Sequence, residues 1–325
     1  MVTARGAAKR IRGEIRKVAP PAAVRTVRKA RTAVAQRRES AMAGPRPAEL
    51  TTCPPLFVGV TRFSLYDTKS RSWKLTRNHA ADADFYLNQL YSAERMDPRC
   101  DIFLELSVPI LQQMADNHDY RHIVRYSKEM PQEYQDRLQA AAQKYPVLLL
   151  VEGTSKTIVD ETIKELAKRP GQDRTVVRFR LDDDDLLAAT YLDELAAFAT
   201  ASEYNRAVSL ALGYAAGYRN GKVGTPHVVR RVFGAQGLAY IGDYVAATDT
   251  VRLPPDGDHT KVHHTRPAIV YSKEPAFLQF RHLGQDMVSD VEAAAESLDA
   301  GLERLPVADD LDAVFRLFPT LRDRS

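Results

Sequence analysis

The sequence predicts an α/β domain with a mostly parallel central sheet flanked by helices. Four short apolar, β-branched runs (56–63, 122–128, 146–153 and 175–181) read as buried strands. Stretches with apolar residues at helical spacing lie between them, and parallel neighbours need such long crossovers. The composition is that of a globular chain, with 44% hydrophobic and 27% charged residues in a length of 325, enough for one large domain.

The first 50 residues stand apart. Residues 1–46 hold thirteen Lys and Arg against Glu14 and Glu39, a net of +11, so the rest carries −7 within the total of +4. A basic arm over 1–50, partly helical or disordered and broken at Pro20-Pro21, is expected to precede a domain over 51–325. The arm suits peripheral contact with anionic membrane, at about 1 kcal/mol per basic residue near the surface. It has no aromatic residue to stack on bases, so no nucleic-acid partner is expected. No run of 18 apolar residues occurs and the start lacks an apolar stretch, so neither a membrane span nor a secretory signal is expected. The location expected is cytoplasmic, peripheral at the inner face of the plasma membrane. Cys53 and Cys100 alone exclude a disulfide framework and a thiolate zinc site.

"LFVGVTRF" (56–63) opens the domain as a strand, and "HIVRYSK" (122–128) follows it. "PQEYQDRLQAAAQK" is a helix led by Pro131. After the strand "PVLLLVEG", the helix "SKTIVDETIKELAKR" aligns Val159, Ile163 and Leu166 before Pro170-Gly171 stops it. Gly153, Ser155, Lys156 and Thr157 lack phosphate-loop spacing. The strand "TVVRFRL" runs into Asp182–Asp185, and "LLAATYLDELAAFA" (186–199) is predicted as one helix. Beyond residue 205, "AVSLALGYAAGY", "GLAYIGDY" and "AIVYSKEPAFLQF" read as strands joined by loops, and "DMVSDVEAAAESLDAGLERL" as a tail helix.

In an open α/β sheet, ligands bind beyond the carboxyl ends of the strands, where Asp182–Asp185 fall. Like charges about 4 Å apart repel by roughly 1 kcal/mol in water and by more where solvent is excluded. A divalent cation turns that repulsion into binding, and hard oxygens suit Mn²⁺ or Mg²⁺. Alternation along an extended chain sends Asp182 and Asp184 to one side as a metal pair and Asp183 to the other. Asp185 either joins them or caps the following helix; a solvated acidic loop is the plainer alternative. Arg62 serves either a phosphate or a surface ion pair. Arg180 either neutralises part of the cluster or meets substrate. His259, His263, His264 and His282 crowd a short span, and neutral imidazoles complete carboxylate metal sites. Trp73, Tyr214 and Tyr218 either stack on a ligand or fill a core.

"RLDDDD" after an apolar strand resembles the DxD signature of GT-A glycosyltransferases, and especially the bacterial family labelled putative rhamnosyltransferase. "VGVTRFSL" (58–65) resembles that family's opening strand, and "VPILQQMADNHDYRHIVRYSKEMPQEYQDRL" its helix-strand-helix segment. "PAFLQFRHLGQD" (275–286) resembles its closing motif, with Phe277, Leu283 and Gln285 in place of Trp, Gly and Asn. The resemblance spans about residues 55–288. It implies a GT-A-like domain with a nucleotide-binding N-terminal half and an acceptor-binding C-terminal half. The activity implied is metal-dependent transfer of a sugar, rhamnose by the label, from a nucleotide-diphosphate donor to a hydroxyl of an envelope glycan or lipid-linked acceptor. Donor contacts are then expected from Thr61, Arg62, Arg180, Asp182 and Asp183, and metal contacts from Asp182, Asp184, Asp185, His264 and His282. Asp243, Asp256 and Asp258 are candidates for the carboxylate that takes the acceptor's proton, with none singled out. Two other classes stay open. A Mg²⁺-dependent phosphohydrolase or phosphotransferase also places Asp at a strand end, though Leu186-Leu187 follow here where Thr or Val is usual. A non-catalytic protein would use the arm to hold anionic lipid or nucleic acid.

Overall fold

A computed structural model describes residues 53–67, 83–255, 258–282 and 300–324. The basic arm, Trp73, Asp256, Leu283, Gln285 and most of the expected tail helix lie outside the described residues. Leu56–Arg62 (β1) is buried on both faces: Phe57 joins the larger apolar cluster, Leu56 and Val58 the smaller one opposite. A strand covered on two faces belongs in the middle of a sheet. Accordingly β1, Tyr120–Tyr126 (β2), Leu148–Glu152 (β3) and Arg174–Leu181 (β4) form a parallel set in the order β4-β1-β2-β3. All four match strands read from the sequence.

Helices cover both faces. Ala83–Leu90 (α1) and Ala93–Cys100 (α2) lead into a π-helical turn, Asp101–Ser107, and then Val108–Asn117 (α3). Gln132–Lys144 (α4) starts after Pro131, as expected. The larger cluster takes Leu111 and Met114 from α3 and Tyr134 and Leu138 from α4. On the other face Lys156–Ala167 (α5) buries Val159, Ile163 and Ala167.

The segment after the aspartates departs from expectation. Leu186 and Leu187 lie in a short strand, Asp185–Leu187 (β5), and helix begins only at Tyr191–Ala196 (α6). Both leucines are fully buried, so packing against a second sheet overrides their helical preference. Eight further strands follow: Ala207–Leu210 (β6), Leu212–Arg219 (β7), Lys222–Val223 (β8), His227–Arg230 (β9), Ala239–Val245 (β10), Thr250–Arg252 (β11), Ala268–Tyr271 (β12) and Phe277–Arg281 (β13). The larger sheet runs β12-β6-β10-β4-β1-β2-β3 with β11 on β10. Only β10 opposes its neighbours β4, β6 and β11, so the sheet is mostly parallel. The smaller sheet runs β5-β13-β7-β8 with β9 on β7. Leu311–Leu317 (α7), capped by the Asp310 carboxylate accepting from Ala313 N–H at 2.8 Å, is followed by a 3₁₀ turn at Pro319–Leu321. The architecture is the α/β class expected.

Candidate functional site

The chain leaves the larger sheet at Leu181, turns through Asp182, Asp183 and Asp184, and enters the smaller sheet at Asp185. The turn closes with Asp185 N–H donating to Asp182 C=O at 3.3 Å. The acids therefore stand where the two sheets meet, past the carboxyl end of a parallel strand. Because the segment turns, extended-chain alternation does not apply.

Asp183 and Asp184 point the same way, which corrects the expected pairing of Asp182 with Asp184. Both meet the guanidinium of Arg99 on α2. Its Nη2 lies 2.8 Å from Asp184 Oδ2, and its Nη1 holds Asp183 Oδ1. Arg99, Asp183 and Asp184 are only 5%, 3% and 7% exposed. The other oxygen of Asp183 accepts from Ser64 N–H (2.7 Å) and Ser64 O–H (3.1 Å), and Arg95 Nη1 donates to that hydroxyl at 2.8 Å. Ser64 reaches this position with φ of +41°, a region that side chains other than glycine rarely adopt. His282 Nε2 lies 3.4 Å from Asp184 Oδ2, so one expected histidine does converge on the acids.

The outer two acids face elsewhere. Asp182 is partly exposed and accepts from Arg180 at 2.8 Å. Asp185 neither joins its neighbours nor caps a helix: as the first residue of β5 it accepts from Gln236 Nε2 (2.7 Å) and Phe280 N–H (3.3 Å). Burial, with the charges of Asp184 and Asp182, holds the Asp185 carboxyl well above the usual carboxylate range. Burial pushes Asp184 upward too, but Arg99 and His282 reverse this and leave it below that range. Arg99 loses hydration by burial, and Asp183 and Asp184 more than restore its charge. Arg95 is pulled down to about 10 by burial and then by Arg99.

Thr61 lies beneath the turn, fully buried. Its hydroxyl donates to Leu181 C=O at 2.9 Å, so it accepts from His122 Nε2 at 2.8 Å. His122 Nδ1 then accepts from Tyr120 O–H at 2.6 Å. This chain fixes one neutral tautomer, and burial pushes the imidazole down to about 3. Gly59 leaves room for the ring, since a Cβ there would collide with His122 Nδ1.

Above the turn, Arg62 is exposed at the end of β1. His259 Nδ1 lies 3.5 Å from Arg180 Nη1, and burial followed by Arg180 lowers its pKa, with Arg62 near enough for its charge to help. His264 is exposed with its ring against His263 at 4.3 Å, and His263 stacks on Phe233. Neither is recorded against an aspartate of the turn.

The candidate bases are not gathered at the turn. Asp243 pairs with Arg252 and sits opposite Thr175 at the start of β4, roughly 20 Å along the strand from Asp182. Asp258 caps a 3₁₀ turn, accepting from Thr260 O–H (2.6 Å), and this with Lys261 lowers its carboxyl to about 2. Tyr214 and Tyr218 are buried against Phe318 and Phe280 in the larger cluster, which is the core-filling alternative.

As they stand, these residues do not fit a divalent ion. Arg99 lies between the two inward carboxylates, and no three His, Cys, Asp or Glu side chains come together as ligands among the described residues. The sequence reading missed Arg99, Arg95, Ser64 and Gln236. Its signal was present in "ERMDPRC": Arg95, Met96, Arg99 and Cys100 share a buried helix face. Arginine on an apolar face requires an acidic partner.

Residues 56–293 match the family described as "Putative rhamnosyl transferase". No curated protein matches the chain significantly. Among solved structures, a mannosyltransferase from Pyrobaculum calidifontis in complex with GDP-Man and Mn²⁺ is 13% identical at a TM-score of 0.32, covering 84% of this chain and 69% of that one. TarS from S. aureus is 10% identical at 0.34, covering 82% and 44%. A shorter TarS structure, residues 1–349 in complex with UDP, is 11% identical at 0.31, covering 83% and 70%. Superpositions this loose bear on neither substrate nor mechanism.

Proposed function

From the premise that the chain belongs to the putative rhamnosyl transferase family, and is therefore a glycosyltransferase, we propose that its aspartate turn receives a nucleotide-diphosphate sugar. The observation that carries this reading is the gathering of Arg62, Arg180, His259 and Asp182 on one partly open rim at the carboxyl ends of β1 and β4, with the buried acids below. Arginine forks suit diphosphate oxygens. Asp182, which alone among the four acids reaches solvent, suits hydroxyls of ribose or sugar.

In the transfer, the bond between the anomeric carbon and the diphosphate oxygen breaks and its electron pair stays on the diphosphate. The acceptor's hydroxyl oxygen bonds to that carbon and releases its proton to water. Arg62 and Arg180 offset the charge that builds on the leaving group, and the neutral ring of His259 offers it a hydrogen bond. Rhamnose as the sugar and an envelope glycan or lipid-linked acceptor follow the family label and the basic arm. The Mn²⁺ or Mg²⁺ implied by the resemblance has no seat among the residues as they stand, and no step is assigned to it. A phosphatase reading is disfavoured, because a nucleophilic aspartate must be open to phosphate while Asp183, Asp184 and Asp185 are buried and engaged.

A nucleotide-sugar panel read by thermal unfolding tests the proposal. The correct donor at about 100 times its Kd stabilises by roughly 2.7 kcal/mol. Arg62→Ala, exposed and without a recorded partner among the described residues, should weaken that donor about tenfold without changing the unliganded Tm. No stabilisation by any nucleotide sugar sinks the proposal.

A further inference from the structure

We propose that this chain binds and transfers its sugar without a divalent ion, because the positive charge that the aspartate turn requires is built in as Arg99. The inference rests on the turn being the donor site. It begins from how the two inward carboxylates are filled. One guanidinium spans them, with Nη1 on Asp183 and Nη2 on Asp184, and Ser64 supplies both an N–H and an O–H to the remaining oxygen of Asp183. Mg²⁺ fills its octahedral shell at about 2.0–2.1 Å from one or two carboxylates, waters and substrate phosphates, and so needs carboxylate oxygens free to turn to it. Asp182 and Asp185 do not supply them, since Asp182 turns to Arg180, and Asp185 to Gln236 and the Phe280 N–H. His282 has one buried nitrogen, Nδ1, with no partner among the described residues, and one such nitrogen does not hold an ion.

Charge gives the same answer. Asp183 and Asp184 carry two negative charges, and Arg99 and Arg95, both at least nine-tenths buried, carry two positive ones. The buried group is neutral as it stands. A divalent ion added to it before the donor arrives leaves two positive charges uncompensated away from water, which is strongly unfavourable. An ion that displaced Arg99 would strand a guanidinium among Met96, Cys100 and other apolar side chains of the same cluster. The leaving diphosphate, in turn, meets Arg62, Arg180 and His259 on the rim above. Arg99 is thus a positioning residue: it balances the charge of the two carboxylates and holds them in place beneath the donor, and does not touch the reacting atoms.

The decisive measurement is Mn²⁺ binding by electron paramagnetic resonance on the full chain after chelation. Wild type should leave added Mn²⁺ free at protein concentrations of about 100 μM. Arg99→Met, which removes the guanidinium and leaves both carboxylates, should bind one Mn²⁺ per chain. If that variant does not fold, Arg99→Lys serves: it keeps the charge at a single point, should leave Mn²⁺ free, and should raise the KM for donor more than it lowers kcat. Stoichiometric Mn²⁺ on wild type overturns the proposal. Nucleotide diphosphates titrated with and without EDTA supply the second arm. Affinities within twofold of each other support metal-free binding, whereas a tenfold or larger gain from Mn²⁺ overturns it and leaves the donor site standing. Failure of every nucleotide diphosphate in both conditions overturns the inference together with the donor reading.

Discussion

At the scale of single residues, the site is governed by what surrounds a charge, not by which charges are present. Four adjacent aspartates end in three environments: Asp182 on the rim, Asp183 and Asp184 on Arg99, and Asp185 against an amide and a backbone N–H. His122 shows the same rule with a titrating group. An unfolded histidine has a pKa near about 6.5, while the buried ring is pushed down to about 3. Between those values the unfolded chain binds a proton that the folded chain refuses. The stability this confers is complete above about pH 6.5 and declines as pH falls toward 3. The stability difference between wild type and His122→Gln, from urea midpoints at pH 7 to 4, should therefore narrow as pH drops. A difference that stays constant with pH would show that the ring does not titrate as described.

At the scale of elements, legibility followed local pattern. The strands β1 to β4 and the helices α4 and α5 were readable because β-branched runs, a leading Pro131 and the Val159–Ile163 spacing each act within a few residues. The segment after Asp185 was not, because Leu186 and Leu187 suit either structure and only pairing with β13 decides it. The α2 and π-helical run was missed for the same reason, whereas α3 falls in the helix-strand-helix segment that the resemblance supplied. Its π-helical turn buries Ile102, Phe103, Leu104 and Leu106, a burial broader than one helical stripe, and Pro98 lies inside α2. The aspartates themselves were legible as a site, but their partners were not, since Arg99 is 84 residues from Asp183. The last helix offers a direct test of an element. Asp310 caps α7, and Leu317 at its end accepts the Ala189 N–H just beyond β5. Asp310→Ala should cost about 1 kcal/mol of stability in urea unfolding while leaving donor affinity unchanged.

At the scale of the molecule, charge divides the chain into a basic arm and an acidic remainder. Among the described residues no helix is long and apolar enough to cross a membrane. The arm is accordingly proposed as the part that meets anionic lipid. Removing residues 1–46 should abolish binding to phosphatidylserine vesicles and leave turnover of a soluble donor intact; retained vesicle binding would assign that contact to the domain. The acid turn also has a history dictated by connectivity. Ser64 and Arg99 come off the ribosome well before Asp183, whereas His282 follows Asp184 by 98 residues and Gln236 follows Asp185 by 51. A chain under synthesis thus displays its acids while half of their keepers are still untranslated. A chain cut before Gln236 would carry the aspartate signature without the late partners of Asp184 and Asp185.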